Sequence, residues 1–451
     1  MMFKYSFHFS RFSPAGLVRG FSLLFFFFSC ILATAAHAGV KIDHWTTPSG
    51  TRVYFVETRG LPMLDIQVDV AAGAAYSPAG KAGVANLTRG LLDAGAGDLN
   101  EEQLAERLLD TGAQMGGGVS DDRASVMLRT LSSKPEREAA LGILRAVLSA
   151  PTFPQEVLAR EKQRSIAAIQ EADTQPATIA AKRFTAAIYP DHPYGVSPTV
   201  DTVAAITRQD LVDFYQQRYN AKQATISLIG DVSKAEAEAI AANLSAALPA
   251  SPANSTQASL PPVVLPKAQT IKLLHSAAQS HVHIGLPAVR RGDPDYFALL
   301  VGNYTLGGGG FASRLMNEVR EKRGYAYSVS SYFSPQLLPG PFDINLQTKR
   351  SQVDDAVKVV NDVLDQFIAK GPTEKELIAA KKNLADGLAL RTDSNAKLLG
   401  YLSTIGFYSL PLTYLDDFPA RVNAVTNAQI RAAFARHVMR EHLVTVIVAA
   451  D

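Results

Sequence analysis

VAAITRQDLVDFYQQRYNAKQATISLI, residues 203–229, is answered near the end of the chain by VNAVTNAQIRAAFARHVMREHLVTVIV, residues 422–448. Each segment opens on a small apolar turn and a threonine, Thr207 or Thr426. Each threonine has a polar partner three residues on, Asp210 or Gln429, the spacing of a reciprocal helix cap. An amphipathic helix then leads into a β-branched strand ending at Asp231 or Asp451. The same offset of about 220 residues pairs Glu156-Val157-Leu158-Ala159 with Glu376-Leu377-Ile378-Ala379. A repeat at half the chain length implies one fold written twice.

Between the copies runs PASPANSTQASLPPVVLP, residues 249–266, whose prolines and small polar residues cannot build a core. Residues 251–266 therefore read as a linker between a first domain at 39–250 and a second at 267–451. Arg52 to Val56, Met63 to Val70 and Val126 to Leu131 have the composition of strands. Asn100 to Thr111 reads as a helix, capped by Asn100 with Gln103 and stopped at Gly112. Strands followed by helices and a closing strand predict an α+β class. Each half would be an α/β sandwich, a mainly antiparallel sheet covered by helices.

The chain has 451 residues, 47% hydrophobic and 19% charged, which suits globular domains and excludes a disordered or fibrous class. Lys4, Arg11 and Arg19 precede the apolar run FSLLFFFFSCILATAA (21–36), and Ala36-His37-Ala38 offers small residues for cleavage. Residues 1–38 thus read as a secretory signal peptide, with an uncleaved anchor as the alternative. The formal charge is +2; without the three signal-segment cations the mature chain is near −1, which gives no reason to invoke nucleic acid or an anionic membrane. Cys30, the sole cysteine, lies in that segment, so the mature chain has no disulfide and no thiol chemistry; Cys30 as a lipid-attachment site is the alternative, in a poor context of Phe27, Phe28 and Ser29. An exported, cysteine-free chain of this size points to a bacterial periplasm.

Leu306 to Val329 reads LGGGGFASRLMNEVREKRGYAYSV. Gly307, Gly308, Gly309 and Gly310 predict a flexible loop that another chain can approach closely. A helix should follow with Phe311, Leu315, Met316 and Val319 on one apolar stripe, ended by Gly324 before a strand around Tyr327. No lysine-serine/threonine pair follows the glycines, so a phosphate loop is not indicated. The string resembles the C-terminal half of the pitrilysin/insulinase-type (M16) zinc peptidases. The Asp191-His192-Pro193-Tyr194-Gly195 turn and the domain-ending strands resemble that family too. The resemblance implies the duplicated sandwich already read from the repeat. It also implies that Arg320 and Tyr327 hold a substrate backbone opposite a zinc ion; spacing alone does not bring them together.

Catalytic M16 peptidases carry H-x-x-E-H, two histidines ligating zinc and a glutamate activating water, with a distal glutamate as third ligand. The equivalent text here is GVANLTRGLL, residues 83–92. Asn86 and Gly90 stand at the histidine positions, Arg89 at the glutamate, and Ala167 or Ala168 at the distal ligand. An amide is a poor zinc ligand, and a guanidinium repels the cation and offers no base. The expectation is a chain that binds no zinc or other cofactor and is inactive alone. Zinc and the general base would come from an H-x-x-E-H-bearing M16 partner in a heterodimer acting on an extended peptide. The alternative is a peptide-binding or scaffold protein of the same fold without a proteolytic role.

Other candidates are weaker. His281 and His283, two apart in an apparent strand, share a face, but no acidic neighbour is visible in sequence. His192 reads as a structural residue of a proline-flanked turn. Asp121 and Asp122 would face opposite ways in a strand and make a poor metal pair. Arg290-Arg291 and Lys349-Arg350 read as solvated surface. Arg89 either pairs with a carboxylate or faces solvent.

Overall fold

The computed structural model describes residues 40–250 and 259–449. Residues 1–39, where a signal segment was expected, residues 251–258 of the expected linker, and residues 450–451 lie outside the described residues. The described residues from Lys41 onward form one compact unit. The strands are β1 (Asp43–Thr46), β2 (Arg52–Glu57), β3 (Met63–Val70), a two-residue pair β4 (Gly95–Ala96) and β5 (Leu99–Asn100), β6 (Gln114–Val119), β7 (Ala124–Leu131) and β8 (Ala224–Gly230) in the first half. In the second half they are β9 (Gln269–Leu273), β10 (Gln279–Val289), β11 (Ala326–Phe333), β12 (Gly340–Lys349) and β13 (Val444–Val448). Seven helices bear on function: α1 (Val84–Gly90), α2 (Gln155–Ala172), α3 (Pro176–Ile188), α4 (Tyr296–Asn303), α5 (Glu374–Asp386), α6 (Asn395–Phe407) and α7 (Tyr414–Ala424).

The first sheet has the order β1-β2-β8-β3-β7-β6 and the second β11-β12-β10-β13-β9. Read from the opposite edge, the second repeats the first from β2 onward. Each contains one parallel pair, β2 with β8 and β9 with β13, and is otherwise antiparallel. The duplicated, mainly antiparallel sandwich expected from the repeat is therefore present. Its helix caps form as the spacing requires: Thr207 accepts from the Asp210 amide and Thr426 from the Gln429 amide, both at 3.2 Å, with the reciprocal bonds made. Asn100 and Gln103 form another such cap.

The two halves exchange helices. Helix α3 belongs to the first half but packs on β10 and β13 of the second sheet. Its Ala180, Phe184 and Ile188 share one core cluster with Val444, Val446 and Val448. The equivalent helix of the second half, α6, packs on β8, β3 and β2 of the first sheet. Glycine permits both approaches. A Cβ at Gly406 would lie 2.7 Å from the Tyr54 ring, and one at Gly285 would lie 3.0 Å from the Phe184 ring. Each sheet thus buries a face only when the other half is present, which joins the halves through their cores and not merely through the linker.

Buried polar ties reinforce the exchange. The turn after β6 places Asp122, 1% exposed, against the second half. It accepts from the hydroxyls of Tyr194 and Tyr408 (2.8 Å for the latter) and from the Leu337 amide at 2.9 Å. Asp121 accepts from the Gln336 side chain at 2.5 Å. Neither residue lies in a strand, contrary to the sequence reading, and both carboxylates close the interface between halves. Asp69, wholly buried on β3, accepts from Ser403 at 2.7 Å and Gln67 at 2.8 Å, with Arg123 at 3.5 Å. Burial pushes its carboxyl above the ordinary range against the pull of Arg123.

Candidate functional site

Four buried or anchored side chains position the Arg320 segment. Leu315, Met316 and Val319 are buried as the apolar stripe predicted, and Arg314 donates to both oxygens of Glu376 at 2.8 and 2.6 Å. Met316–Glu321 winds wider than an α-helix. At its end the Gly324 amide donates to the Arg320 carbonyl and the Tyr325 amide to that of Val319, 2.8 and 2.9 Å. Gly324 has φ +63°, a left-handed conformation that glycine adopts without steric cost. The reversal sends the chain into β11, an edge strand of the second sheet.

That geometry brings Arg320 and Tyr327 together. The Arg320 guanidinium carbon lies 5.1 Å from the Tyr327 ring centroid and 4.7 Å from that of Phe311. Tyr327 is 85% exposed and Phe311 71%. Phe311 was placed on the buried stripe by helical spacing. It instead stands on a separate tight turn, Gly310–Ala312, outside the helical register. Among the described residues the guanidinium makes no hydrogen bond, and its nearest carboxylate oxygen, on Glu321, is 3.7 Å away. Cation–π contacts hold the charge in place and leave its donor fork free for carbonyl or carboxylate oxygens.

The four glycines are not the open loop that their composition suggested. Gly307 and Gly308 belong to a helical turn, Tyr304–Gly308, wound beyond α4, and Gly309 follows it. A Cβ at Gly307 would come within 2.4 Å of the Ser331 hydroxyl, and one at Gly308 within 2.7 Å of the Asn303 amide nitrogen. Asn303 in turn donates to the Ser331 carbonyl at 2.8 Å and accepts from its hydroxyl at 2.6 Å. Gly307 lets the turn sit flush on β11 at Ser331, and Gly308 lets it close on Asn303. Only Gly310 uses a left-handed conformation, φ +58°.

In the first half, α1 carries Asn86, Arg89 and Gly90. Asn86 and Gly90 are exposed one turn apart, and Ala167 and Ala168 are exposed on α2. None of these side chains can ligate zinc effectively. Arg89 neither pairs with a carboxylate nor faces solvent. It is 7% exposed, donates through Nε to the Ser125 carbonyl at 2.6 Å, and donates through Nη2 to the Gly116 carbonyl. A Cβ at Gly117, where φ is +137°, would lie 2.6 Å from Nη2. The run Gly116-Gly117-Gly118 on edge strand β6 is the signal that sequence reading passed over.

The remaining candidates resolve into structural roles. His283 has an acidic neighbour after all: its Nδ1 lies 3.0 Å from the buried Asp343, which also accepts from the Tyr332 hydroxyl at 2.7 Å. The pairing crosses from β10 to β12 and is invisible in sequence. His281 is held below its usual pKa by burial and by neighbouring His283 and His275. His192 caps the Pro193–Gly195 turn through the Tyr194 amide and meets the Pro261 carbonyl, both at 3.0 Å. Among the described residues one metal-like cluster occurs, Asp293, Asp295 and His437, remote in sequence from the degenerate motif. Asp295 there already accepts from Arg436 at 2.7 and 2.9 Å. No helix among the described residues is long and apolar enough to cross a membrane.

Comparison with known proteins agrees with this geometry. Residues 53–201 match the family model for insulinase (peptidase family M16), and residues 205–384 match that for the peptidase M16 inactive domain. A solved peptidase M16 inactive domain from Pseudomonas fluorescens superposes with TM-score 0.87 and 37% identity, over 91% of this chain and 98% of that one. The periplasmic protease PqqL of Escherichia coli shares the fold, TM-score 0.78 at 17% identity, over 91% of this chain and 45% of its own. A Streptomyces coelicolor protein named an uncharacterized zinc protease is 28% identical over 309 residues, 66% of each chain. A Helicobacter pylori protein named non-peptidase homolog YmxG is 24% identical over 88% of this chain and 91% of its own. With two matched sandwiches and a structural relative aligned almost end to end, this chain belongs to the M16 peptidase family, as a member whose sequence holds no H-x-x-E-H motif.

Proposed function

We propose that this chain is the non-catalytic, substrate-binding subunit of a heteromeric M16-type zinc metallopeptidase of the bacterial periplasm. The observation that carries the reading is the Arg320 guanidinium, stacked between Phe311 and Tyr327 with its donors unused, in a chain that has lost all four zinc-site groups. A partner with H-x-x-E-H supplies zinc and the general base. This chain supplies Arg320 and Tyr327, which bind carbonyls of an extended peptide and oppose charge developing on the scissile one. The edge strands β6 and β11 offer backbone donors and acceptors to such a peptide as an added strand. Export through the signal at residues 1–38 leaves a mature amino terminus at Gly39.

The test is reconstitution. The mature chain, mixed with an H-x-x-E-H subunit of similar length encoded beside it, should cleave unstructured peptides well above either chain alone. Association without any gain in cleavage would replace this reading with a scaffold role.

A further inference from the structure

On the helical side of the second half, α4, α5, α6 and α7 surround a cleft of about 600 Å³. Its walls include Leu300, Leu384, Tyr414 and Phe418, and its charged lining consists of Arg291, Arg391 and Lys397 without a carboxylate among the described residues. Lys397 is already answered by Asp393 at 2.9 Å. The two guanidiniums are not. Arg391 donates to the Leu384 carbonyl and lies 5.8 Å from the Phe418 ring centroid. Arg291 lies 5.5 Å from the ring centroid of Tyr408, and its Nε has no hydrogen-bond partner. Among the described residues neither has a carboxylate within ion-pair distance. Surface cations are ordinarily solvated or paired, whereas these two share one concave wall with leucine and aromatic side chains. An anion is the species that guanidiniums without a carboxylate partner accept, and an apolar tail is what the rest of the wall accepts.

We propose that this cleft binds a single-chain amphiphilic carboxylate, its head on Arg291 and Arg391 and its hydrocarbon against Leu300, Leu384 and Phe418. The volume falls in the range of about 300–1,000 Å³ that holds small-molecule ligands. This site does not depend on the peptidase reading and makes no use of Arg320 or Tyr327.

The experiment is titration calorimetry of the mature chain with decanoate, decan-1-ol and decyltrimethylammonium, each below its aggregation concentration. Decanoate should bind at one site per chain, the alcohol at least about tenfold more weakly, and the ammonium not at all, since a charge-assisted hydrogen bond accounts for about a tenfold difference or more. Arg391→Gln keeps an amide to reach the Leu384 carbonyl and should weaken decanoate about tenfold while leaving the alcohol unchanged. Arg291→Gln should do the same, and it decides the matter if Arg391→Gln lowers the melting temperature. Equal affinity for decanoate and decanol, no binding of decanoate, or undiminished decanoate binding in a normally folded Arg291→Gln variant would overturn the proposal.

Discussion

The Arg89 side chain, carried by α1, donates to the Ser125 carbonyl at 2.6 Å. A second bond reaches the Gly116 carbonyl on edge strand β6. Arg89 thus acts as a clamp between helix and sheet. Arg89→Glu would turn a buried carboxylate toward two carbonyl oxygens. We expect it to destabilise the chain by at least about 2 kcal/mol, because a buried unpaired charge costs more than a lost hydrogen bond. Chemical denaturation of the two proteins measures this; equal midpoints and slopes would refute the clamp.

Purified mature chain should contain no stoichiometric zinc, since Asn86, Arg89, Gly90 and Ala167 offer no effective ligand set. Elemental analysis after dialysis checks this. About one zinc per chain would overturn the inactive-subunit reading.

In the reconstituted pair, Arg320→Ala or Tyr327→Phe should lower turnover while association is unchanged, because each removes a hydrogen-bond donor and neither residue belongs to the buried core. A donor aimed at a developing oxyanion is typically worth ~10²–10³ in rate. Arg323→Ala is the control: its bonds go to Glu318, at 2.7 and 2.8 Å. Unchanged turnover in both site variants would remove the half-site assignment.

Acid should weaken the anchor of the Arg320 segment. Burial alone would raise the Glu376 carboxyl, but Arg314 and the amide and hydroxyl of Thr373 outweigh it and hold the group at about 2. A depressed carboxyl stabilises the fold above its unfolded pKa of about 4.5, and that contribution is lost as pH falls from there toward 2. Glu376→Gln should therefore lower stability at pH 6 by about 1 kcal/mol, a value reduced by solvent screening, and should cost less at pH 3. Melting curves of both proteins at the two pH values test the difference.

The duplication was legible because its marks are local. Capping threonines, helix periods and β-branched strands lie within a few residues of each other, and the repeat offset needs no third dimension. The absence of an H-x-x-E-H motif was equally legible, since it is a matter of which side chains exist. Pairings across strands and halves were not. His283 meets Asp343 through strand register, and Asp122 meets Tyr408 through the exchange of α3 and α6. Phe311 left the stripe that its spacing suggested because a tight turn at Gly310–Ala312 broke the helical phase.

By itself, the sequence determined that this is a twofold α+β chain without an H-x-x-E-H motif. Only the tertiary structure decided which partners its side chains take: Arg89 clamping the edge strand, Gly307 packed flush against β11, and Arg320 held between two exposed rings. The reason is physical. Composition and short-range period set which backbone conformations are cheap, whereas a side chain's partner depends on elements folded against it from far along the chain.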